Sequence, residues 1–361
     1  MKYAIVLGTR PEIIKMSPII RFLEKEDKDF FILHSNQHYS KELDQVFFEE
    51  LNIPLPKYNL GVGSASHAVM TAKILEGVER VLSEEKTDVV LVQGDTNTVM
   101  AAALAASKMG VKVGHVEAGL RSYDRNMPEE INRVIADHIS DYLFAPTEKS
   151  AEILKKEAIP ENKIFTVGNT IVDAVLQNRK LSKSKSHILE KMKLKSGRYI
   201  LLTLHRPSNV DNKDVFEKIL AGLEKVVSKL EIPIIFPVHP RTKSRMQDLG
   251  ISLPSGVKAI SPVGFLDFLQ LENNAKLILT DSGGIQEEAC ILGVPAVTIR
   301  ENTERPETVE AGANVLAGTD PDKILQSALT MSEKKCDWDN PLGAGKAAER
   351  IIKIIGSGNE S

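Results

Sequence analysis

The chain has 361 residues, of which 42% are hydrophobic and 26% are charged, and its formal net charge is −3. A chain of this length exceeds the size at which one hydrophobic core stops growing, so we expect two domains. The balanced charge gives no reason to expect nucleic acid or a membrane as partner. Two cysteines, no long apolar run and no signal-peptide pattern together predict a cytoplasmic protein.

Short β-branched runs alternate with longer amphipathic stretches along the whole chain. The pattern predicts strands at 2–8, 29–34, 88–93, 112–116, 141–144, 163–167, 199–204, 233–238, 257–260, 276–280 and 295–299. It predicts helices near 11–25, 40–50, 66–84, 97–109, 128–138, 147–157, 212–229, 264–273, 283–292, 305–311 and 321–333. This alternation is typical of parallel sheets covered by helices on both faces.

A polar stretch follows the last strand of the first half and marks the predicted domain boundary. We expect an N-terminal Rossmann-like domain at 1–170, a C-terminal one at 171–340, and a helical tail at 341–361 that returns to the first domain. The Lys/Ser-rich segment 180–186 is predicted to be solvated and loose. Two doubly wound α/β domains in tandem would face each other across a cleft at the carboxyl ends of their strands, where such sheets bind ligands.

The loop after the first strand carries two cations. In the sequence GTRPEIIK, Pro11 suits the first helical position, and Arg10 and Lys15 lie beside a helix N-terminus, which is an anion site in outline. Surface charges flanking an ordinary turn remain the alternative interpretation. No GxGxxG motif follows a strand, so the sequence does not support a nicotinamide cofactor.

Carboxylates mark four further positions in the first domain. Asp95 in QGDT could cap the next helix or take part in chemistry. Glu129 and Glu130 fall in a predicted first helical turn, where the helix dipole alone could explain them. Glu117 directly follows an apolar strand and is harder to explain structurally. Carboxylates near one cleft are what general acid/base catalysis needs.

The second domain has polar residues at the ends of its predicted strands. His205 and His239 each end a strand, and the sequence DSGGIQEE joins another strand to a helix. Backbone amides at Ser282–Gly284 could hold phosphate oxygens, Glu288 could accept hydrogen bonds from a ribose diol, and Arg305 adds a cation. No HExxH motif or i, i+4 histidine pair predicts a metal site.

These segments, in this order, resemble the non-hydrolysing UDP-N-acetylglucosamine 2-epimerase family, which has the two-domain GT-B fold. The resemblance rests on GTRPEIIK, QGDT, HVEAGLRS, PEEINR, LHR, DSGGIQEEA and TERPE. It extends from Gly8 to about Gly318. It implies a cofactor-free isomerase that acts on a UDP-N-acetylhexosamine and works as a homodimer.

By position, the resemblance implies three sets of residues. The catalytic acids and bases are Asp95, Glu117, Glu129 and His205. The substrate and UDP contacts are Arg10, Lys15, Asp95, Glu117, His205, Phe268, Ser282, Gly283, Gly284, Glu288 and Arg305. A second, activating UDP-N-acetylglucosamine would bind Gln37, His38, Glu130, Arg206 and His239.

The sequence departs from the family pattern in two loops. Pro207 and Ser208 replace a second arginine and an acidic residue after Arg206, and Val263 lacks a polar side chain in the uracil-contacting loop. The expected reaction eliminates UDP to a 2-acetamidoglucal and adds it back. Alternatives are an epimerase for a related UDP-2-acetamido sugar, a hydrolytic epimerase, a GT-B glycosyltransferase that uses the same donor, and an inactive nucleotide-sugar sensor.

Overall fold

The computed structural model describes residues 1–36 and 41–357. The chain divides into two compact units. Unit 1 comprises residues 1–174 and the segment from Leu342 onward, and unit 2 comprises Val175–Pro341.

A parallel sheet forms the centre of unit 1. Its strands are β1 (Lys2–Leu7), β2 (Asp29–His34), β3 (Tyr58–Asn59), β4 (Val89–Gln93), β5 (Lys112–Val116), β6 (Tyr142–Ala145) and β7 (Ile164–Thr166), in the order β3-β2-β1-β4-β5-β6-β7. The β1–β2 register runs from Lys2 opposite Asp29 to Leu7 opposite His34. The strand order reverses between β1 and β4, and in such sheets ligands bind at the carboxyl ends of strands beside this reversal.

Helices cover the unit 1 sheet because each presents an apolar side to it. They are α1 (Arg10–Lys25), α2 (Lys41–Glu50), α3 (His67–Glu85), α4 (Asn97–Lys108), α5 (Pro128–Ile139) and α6 (Glu148–Lys156). The alanines of α4 let α3 pack closely on it, and their side chains share one buried cluster with β1, β2 and β4. Burying a large aliphatic side chain in such a cluster contributes roughly 1.5–3 kcal/mol.

Helix α7 (Thr170–Lys185) follows β7 and corrects one prediction. The Lys/Ser-rich segment 180–186, expected to be loose, largely continues this helix. The hydroxyl of Ser182 is buried and donates to the carbonyl of Arg179 at 3.0 Å, so a serine in the helix interior meets its hydrogen-bonding needs locally.

Unit 2 repeats the architecture around a second parallel sheet. Its strands are β8 (Ile200–Thr203), β9 (Ile234–Pro237), β10 (Val257–Ile260), β11 (Leu277–Thr280), β12 (Ala296–Thr298) and β13 (Asn314–Leu316), in the order β10-β9-β8-β11-β12-β13. Their apolar side chains form one continuous core with the flanking helices. The reversal lies between β8 and β11, and the predicted fold class of two doubly wound α/β domains is confirmed.

The remaining helices surround this second sheet and close the chain. They are α8 (Ile188–Met192), α9 (Pro207–Val210), α10 (Lys213–Leu230), α11 (Pro240–Leu249), α12 (Phe265–Asn274), α13 (Gly283–Leu292), α14 (Pro306–Glu310), α15 (Pro321–Ser332) and α16 (Ala347–Ser357). The last helix belongs to unit 1, packs on α1, and begins on the carboxylate of Asp173, which accepts from the amides of Ala347 and Ala348 at 3.1 and 3.2 Å.

Candidate active site

The loop between β1 and α1 is tied to the loop between β4 and α4. A Cβ at Gly8 would lie 2.2 Å from the hydroxyl oxygen of Thr98, so only glycine permits this approach. The carboxylate of Glu12 accepts from the amides of Gly8 (2.5 Å) and Thr9 (3.1 Å) and from the hydroxyl of Thr96 (2.6 Å). One buried side chain therefore joins two of the loops that carry predicted site residues.

The two predicted cations of the first loop lie in different surroundings. Arg10 is exposed, with its guanidinium 4.9 Å from the centroid of the Phe47 ring. Lys15 lies further along α1, and its Nζ donates to both carboxylate oxygens of Glu117 at 2.8 and 2.6 Å. The structure thus brings Lys15 and Glu117 into direct contact.

Asp95 does not cap α4, so that interpretation is wrong. The capping residue is Thr96, whose hydroxyl accepts from the amide of Val99. The carboxylate of Asp95 instead pairs with the guanidinium of Arg133, and its main-chain carbonyl accepts from Asn132 Nδ2 at 2.9 Å. Both the main chain and the side chain of Asp95 are therefore held by α5.

Glu117 combines a strained backbone with a buried carboxylate. Its φ is +70°, a conformation that non-glycine residues adopt at a cost and that is often found at functional sites. Its side chain is 4% exposed and accepts hydrogen bonds from Lys15 and from Gln93 Nε2. Its amide donates to the carbonyl of Phe144 at 3.1 Å. The surrounding contacts therefore fix the direction of this carboxylate.

The two glutamates at the start of α5 have different surroundings, although both lie in its first turn as predicted. Glu129 is exposed. Glu130 is buried and accepts from the amide and hydroxyl of Ser122 (both 2.9 Å), from the amide of Tyr123 (3.0 Å) and from Arg133 (2.8 Å). Burial by itself would raise the pKa of Glu130, but these donors outweigh it and lower the pKa.

In unit 2, a buried aspartate organises the loop after β8. Asp281 accepts from the amides of His205 (3.0 Å) and Arg206 (2.9 Å), and its carboxylate lies 3.1 Å from His205 Nδ1. Burial opposes ionisation, yet the imidazole of His205 and the two amides hold the pKa of Asp281 below its ordinary value. With Nδ1–H donated to Asp281, a neutral His205 has its lone pair at Nε2 and can act there as a base.

The start of α13 is open to an incoming anion. The amide of Ser282 donates to the hydroxyl oxygen of Thr280 at 3.0 Å. The next two amides, of Gly283 and Gly284, lie at the positive end of the helix dipole, where they can donate to an anion. A Cβ at Gly284 would lie 4.0 Å from its nearest neighbour, so the protein's own packing does not demand glycine there. Because Gly283 and Gly284 have no side chains, the approach to the helix N-terminus is unobstructed.

Two further predicted contacts lie on or beside α13. Arg305 Nε lies 2.7 Å from a carboxylate oxygen of Glu287. Glu288 is buried and hydrogen-bonds with Glu272, whose pKa is raised well above its ordinary value by burial and by Glu288. Two carboxyl groups this close cannot both be ionised, so the pair retains a proton.

A cavity of about 330 Å³ opens at the carboxyl ends of β8, β9 and β11. It is lined by Thr203, Leu204, His205, Pro237, His239, Pro262, Val263, Phe268, Ser282 and Ile285. The rings of His205 and His239 lie 6.0 Å apart, and burial followed by repulsion from His205 lowers the pKa of His239. Phe268 provides an aromatic wall, and Val263 lies in this cavity without adding a polar side chain.

Several partners of these residues were not predicted, although some stood inside the motifs. Arg133 ends PEEINR and Asp281 begins DSGG, and neither was assigned a role. Gln93 begins QGDT and was likewise not assigned a role. Gln37 and His38, predicted for a second ligand, lie outside the described residues.

The described part of the chain contains neither a candidate metal centre nor a membrane-spanning helix. Among residues 1–36 and 41–357, no group of three or more His, Cys, Asp and Glu side chains is arranged to hold a metal ion. Within those same ranges, every helix is too short or too polar to cross a bilayer.

Each unit contributes a different set of functional groups. Unit 1 presents carboxylates at the ends of β4 and β5 and at the start of α5, a set suited to moving protons. Unit 2 presents a helix N-terminus, a histidine with an aspartate behind it and an aromatic-walled cavity, a set suited to a nucleotide diphosphate.

Comparison with known proteins identifies close relatives. The family model described as UDP-N-acetylglucosamine 2-epimerase matches residues 21–356. The UDP-N-acetylglucosamine 2-epimerase of Methanocaldococcus jannaschii is 56% identical over 98% of this chain and 99% of its own. The enzyme of the same description from Methanococcus maripaludis is 53% identical over 98% of each chain.

A solved structure is similar along the whole length. The crystal structure of the M. jannaschii UDP-GlcNAc 2-epimerase in complex with UDP-GlcNAc and UDP covers 99% of this chain, with a TM-score of 0.88 and 56% identity. All of that chain is matched. These similarities confirm the resemblance that the motifs predicted.

Proposed function

The chain belongs to the UDP-N-acetylglucosamine 2-epimerase family, and we propose that it interconverts UDP-N-acetylglucosamine and UDP-N-acetylmannosamine by inverting carbon 2 of the sugar. The observation that carries the proposal is the carboxylate set of unit 1, with Asp95 after the end of β4, Glu117 after the end of β5 and Glu129 in the first turn of α5. Removing a proton from one face of a sugar and returning one to the other calls for more than one acid/base group.

The proton on carbon 2 is not acidic, so we assign the reaction to elimination and re-addition. A base takes the carbon 2 proton, the electron pair of that bond forms the C1–C2 double bond, and UDP leaves carbon 1 with the electrons of the C1–O bond. The intermediate is a 2-acetamidoglucal. UDP then attacks carbon 1 while an acid delivers a proton to the opposite face of carbon 2. The electrons balance without an oxidant or reductant.

The leaving diphosphate gains negative charge, and unit 2 supplies the groups that would stabilise it. We assign the diphosphate to the amides of Gly283 and Gly284 and to Arg305, and the uridine to Phe268 and Glu288. Removing one well-placed donor of this kind commonly costs about 10²–10³-fold in turnover.

Two of the three proposed carboxylates of unit 1 are oriented by cations. Lys15 donates to both oxygens of Glu117, and Arg133 binds Asp95. A fixed carboxylate needs no reorientation before it takes or returns a proton, which lowers the entropic cost of the step. We therefore propose Asp95, Glu117, Glu129 and His205 as the residues that move protons.

The decisive experiment incubates the chain with UDP-N-acetylglucosamine alone in D₂O and follows the carbon 1 and carbon 2 protons by NMR. We expect the manno isomer with UDP still attached and deuterium at carbon 2. Free N-acetylmannosamine would indicate a hydrolytic epimerase, and an unchanged donor would favour a transferase. Product without deuterium at carbon 2 would contradict proton exchange with solvent.

Variants separate chemistry from binding. Asp95→Asn, Glu117→Gln and Glu129→Gln keep the shape of the side chain and should each lose about 10²-fold or more in turnover. UDP affinity, measured by calorimetry, should fall less in these than in Arg305→Ala. Glu152→Gln, an exposed change on α6, is the matched control and should keep full turnover. Near-normal turnover in a carboxamide variant would remove that residue from the mechanism.

We also propose that a second UDP-N-acetylglucosamine activates the enzyme through Gln37, His38, Glu130, Arg206 and His239. Turnover should then rise sigmoidally with UDP-N-acetylglucosamine, and the reaction from the manno isomer alone should be slow until some gluco isomer is added. Arg206→Ala should abolish the sigmoidal shape. A hyperbolic wild-type curve would refute this regulation.

The family resemblance further supports a homodimer, and the substrate supports a cytoplasmic location because nucleotide sugars are charged and do not cross bilayers. Cys290 and Cys336 are free thiols, as expected in a reducing compartment. Sedimentation of the purified chain and fractionation of its native cells test the two proposals. A monomer at working concentration would refute the first, and a periplasmic or extracellular enzyme would refute the second.

A further inference from the structure

A group of charged side chains lies buried in unit 1 and takes no part in the steps above. The side chains of His115, Arg121 and Asp137 are 0%, 1% and 0% exposed, and Glu157 on α6 completes the group at 25%. Buried charges are costly unless each is paired and hydrogen-bonded. The arrangement of this group therefore calls for a physical reason.

Both ring nitrogens of His115 face acceptors. Its Nε2 lies 2.8 Å from the carbonyl oxygen of Gly94, and its Nδ1 lies 2.7 Å from Asp137 Oδ1. A carbonyl can only accept, so Nε2 carries a proton. The other oxygen of Asp137 accepts from Arg121 at 2.6 Å and from the amide of Gly119 at 3.2 Å, as an ionised carboxylate does. Nδ1 therefore carries a proton as well.

We propose that His115 is a buried, permanently protonated imidazolium that acts as a positioning residue for Asp95. The proposal of a role in turnover rests on the proposed epimerase activity. The protonation state itself does not, since it follows from the acceptors around the ring.

The charges of the group balance only with a protonated ring. Arg121 and His115 then supply two positive charges, and Asp137 and Glu157 supply two negative ones. With a neutral ring, the group of four would carry one net negative charge, shared with the quarter-exposed Glu157. Burial alone lowers the pKa of His115, but the adjacent Asp137 outweighs this effect and raises the pKa above its ordinary value.

The contact to Gly94 gives this charge its mechanical effect. Gly94 directly precedes Asp95, and its amide donates to the carbonyl of Val116 at 3.1 Å. Helix α5 therefore holds the Asp95 loop through three of its residues. Asn132 binds the Asp95 carbonyl and Arg133 binds the Asp95 carboxylate. Asp137 binds the His115 ring, which in turn donates to the Gly94 carbonyl. Losing the third contact removes the hydrogen bond to the Gly94 carbonyl, so the peptide next to Asp95 can rotate while Asn132 and Arg133 still bind Asp95.

Nitrogen NMR on the full-length chain, labelled only in its eight histidines, tests the protonation state. Between pH 6 and 9, both His115 nitrogens should resonate together at the imidazolium position, and the signal should vanish in His115→Gln. His34 is the internal control, because it is equally buried but burial lowers its pKa to about 4, so it stays neutral over this range. A neutral His115 tautomer at pH 8 would overturn the proposal.

A matched pair of substitutions tests the positioning role. His115→Gln keeps a donor near the Nε2 position toward Gly94, whereas His115→Asn keeps a donor near the Nδ1 position toward Asp137 only. Both lose the charge. We expect His115→Asn to lower kcat by about 10²-fold and His115→Gln by about tenfold or less, because displacing a reacting group by about 1 Å costs about 10²-fold.

Two controls separate positioning from general damage. UDP affinity, measured by calorimetry, should stay within about twofold of wild type in both variants. Ser140→Ala loses a buried hydrogen bond at the other end of α5. It should keep wild-type kcat, because that bond does not involve the Asp95 loop. Equal kcat for the two His115 variants, or losses that follow their melting temperatures, would overturn the positioning role. If neither variant folds, the NMR result on the wild-type chain still decides the protonation state. A wild-type chain inactive on UDP-N-acetylglucosamine would refute the proposed function and leave the NMR test intact.

Discussion

The buried carboxyl of Glu12 should make the stability of the protein depend on pH between about 4.5 and 7. Glu12 is 2% exposed and joins the β1–α1 loop to the β4–α4 loop through Gly8, Thr9 and Thr96. Burial raises its pKa to about 7 from an ordinary value of 4.5, although all three donors favour the ionised form. Glu12→Gln removes the titration and keeps the shape.

The size and sign of the effect follow from this shift. The folded state holds the proton more tightly than the unfolded state, so the stabilisation is fully present below pH 4.5 and is lost as pH rises to about 7. A shift of about 2.5 pH units at about 1.4 kcal/mol each amounts to about 3–4 kcal/mol. Relative to Glu12→Gln, the free energy of unfolding of wild type should fall by about this amount across the window and then level off.

Urea denaturation followed by circular dichroism at several pH values measures this difference, and subtracting the two curves removes the titrations that both proteins share. Glu24→Gln, an exposed change on the same helix, is the control and should follow the wild-type curve. Fluorescence of Trp338, the single tryptophan of the chain, reports separately on unit 2. Parallel curves for wild type and Glu12→Gln between pH 5 and 8 would refute the reasoning.

Three further substitutions test the site. Gly119→Ala should lower the free energy of unfolding by about 2–4 kcal/mol, because φ is +81° and the new Cβ would lie 2.4 Å from the carbonyl of Ser150; an unchanged melting temperature would contradict this. Gly284→Ala should leave the melting temperature unchanged, yet lower UDP affinity about tenfold in calorimetry by blocking the helix N-terminus. Lys15→Met should lower kcat about 10²-fold by releasing Glu117, and full turnover would show that the contact has no catalytic value.

Much of the fold was predictable because its signal is local. Buried parallel strands are continuous apolar runs, and the predicted strands correspond to observed ones. The edge strands β3 and β13 were missed because strands of two and three residues are too short to show a hydrophobic pattern. Helix α7 was misjudged because its composition is polar, while its pattern is helical. Its buried side chains are Thr170, Ile171, Val172, Asp173, Ala174, Val175, Asn178 and Ser182, of which Ile171, Val175, Asn178 and Ser182 recur at helical spacing.

The positions of the site residues were predictable, but their partners were not. In a parallel sheet every strand ends at the same edge, so Asp95 and Glu117 could be placed there from the strand pattern alone. Lys15 binds a carboxylate 102 residues away, and nothing local to either residue indicates this. The capping interpretation of Asp95 failed for a related reason. The neighbouring Thr96 is also a suitable N-cap residue, and the ion pair between Asp95 and Arg133 joins residues that are distant in sequence.

The backbone conformation of Glu117 could not be predicted from the local sequence. The amides of Glu117 and Ala118 both donate to the carbonyl of Phe144 at 3.1 and 3.2 Å, so the neighbouring strand β6 imposes the turn that ends β5. A left-handed backbone at a glutamate costs about 1 kcal/mol or more, and glycine would relieve it. Glycine would, however, remove the carboxylate and leave the partly buried Lys15 without this partner. Unlike Asp27 and Glu231, exposed acidic residues that also have a positive φ, Glu117 carries a buried carboxylate in this conformation, which supports its proposed role in proton transfer.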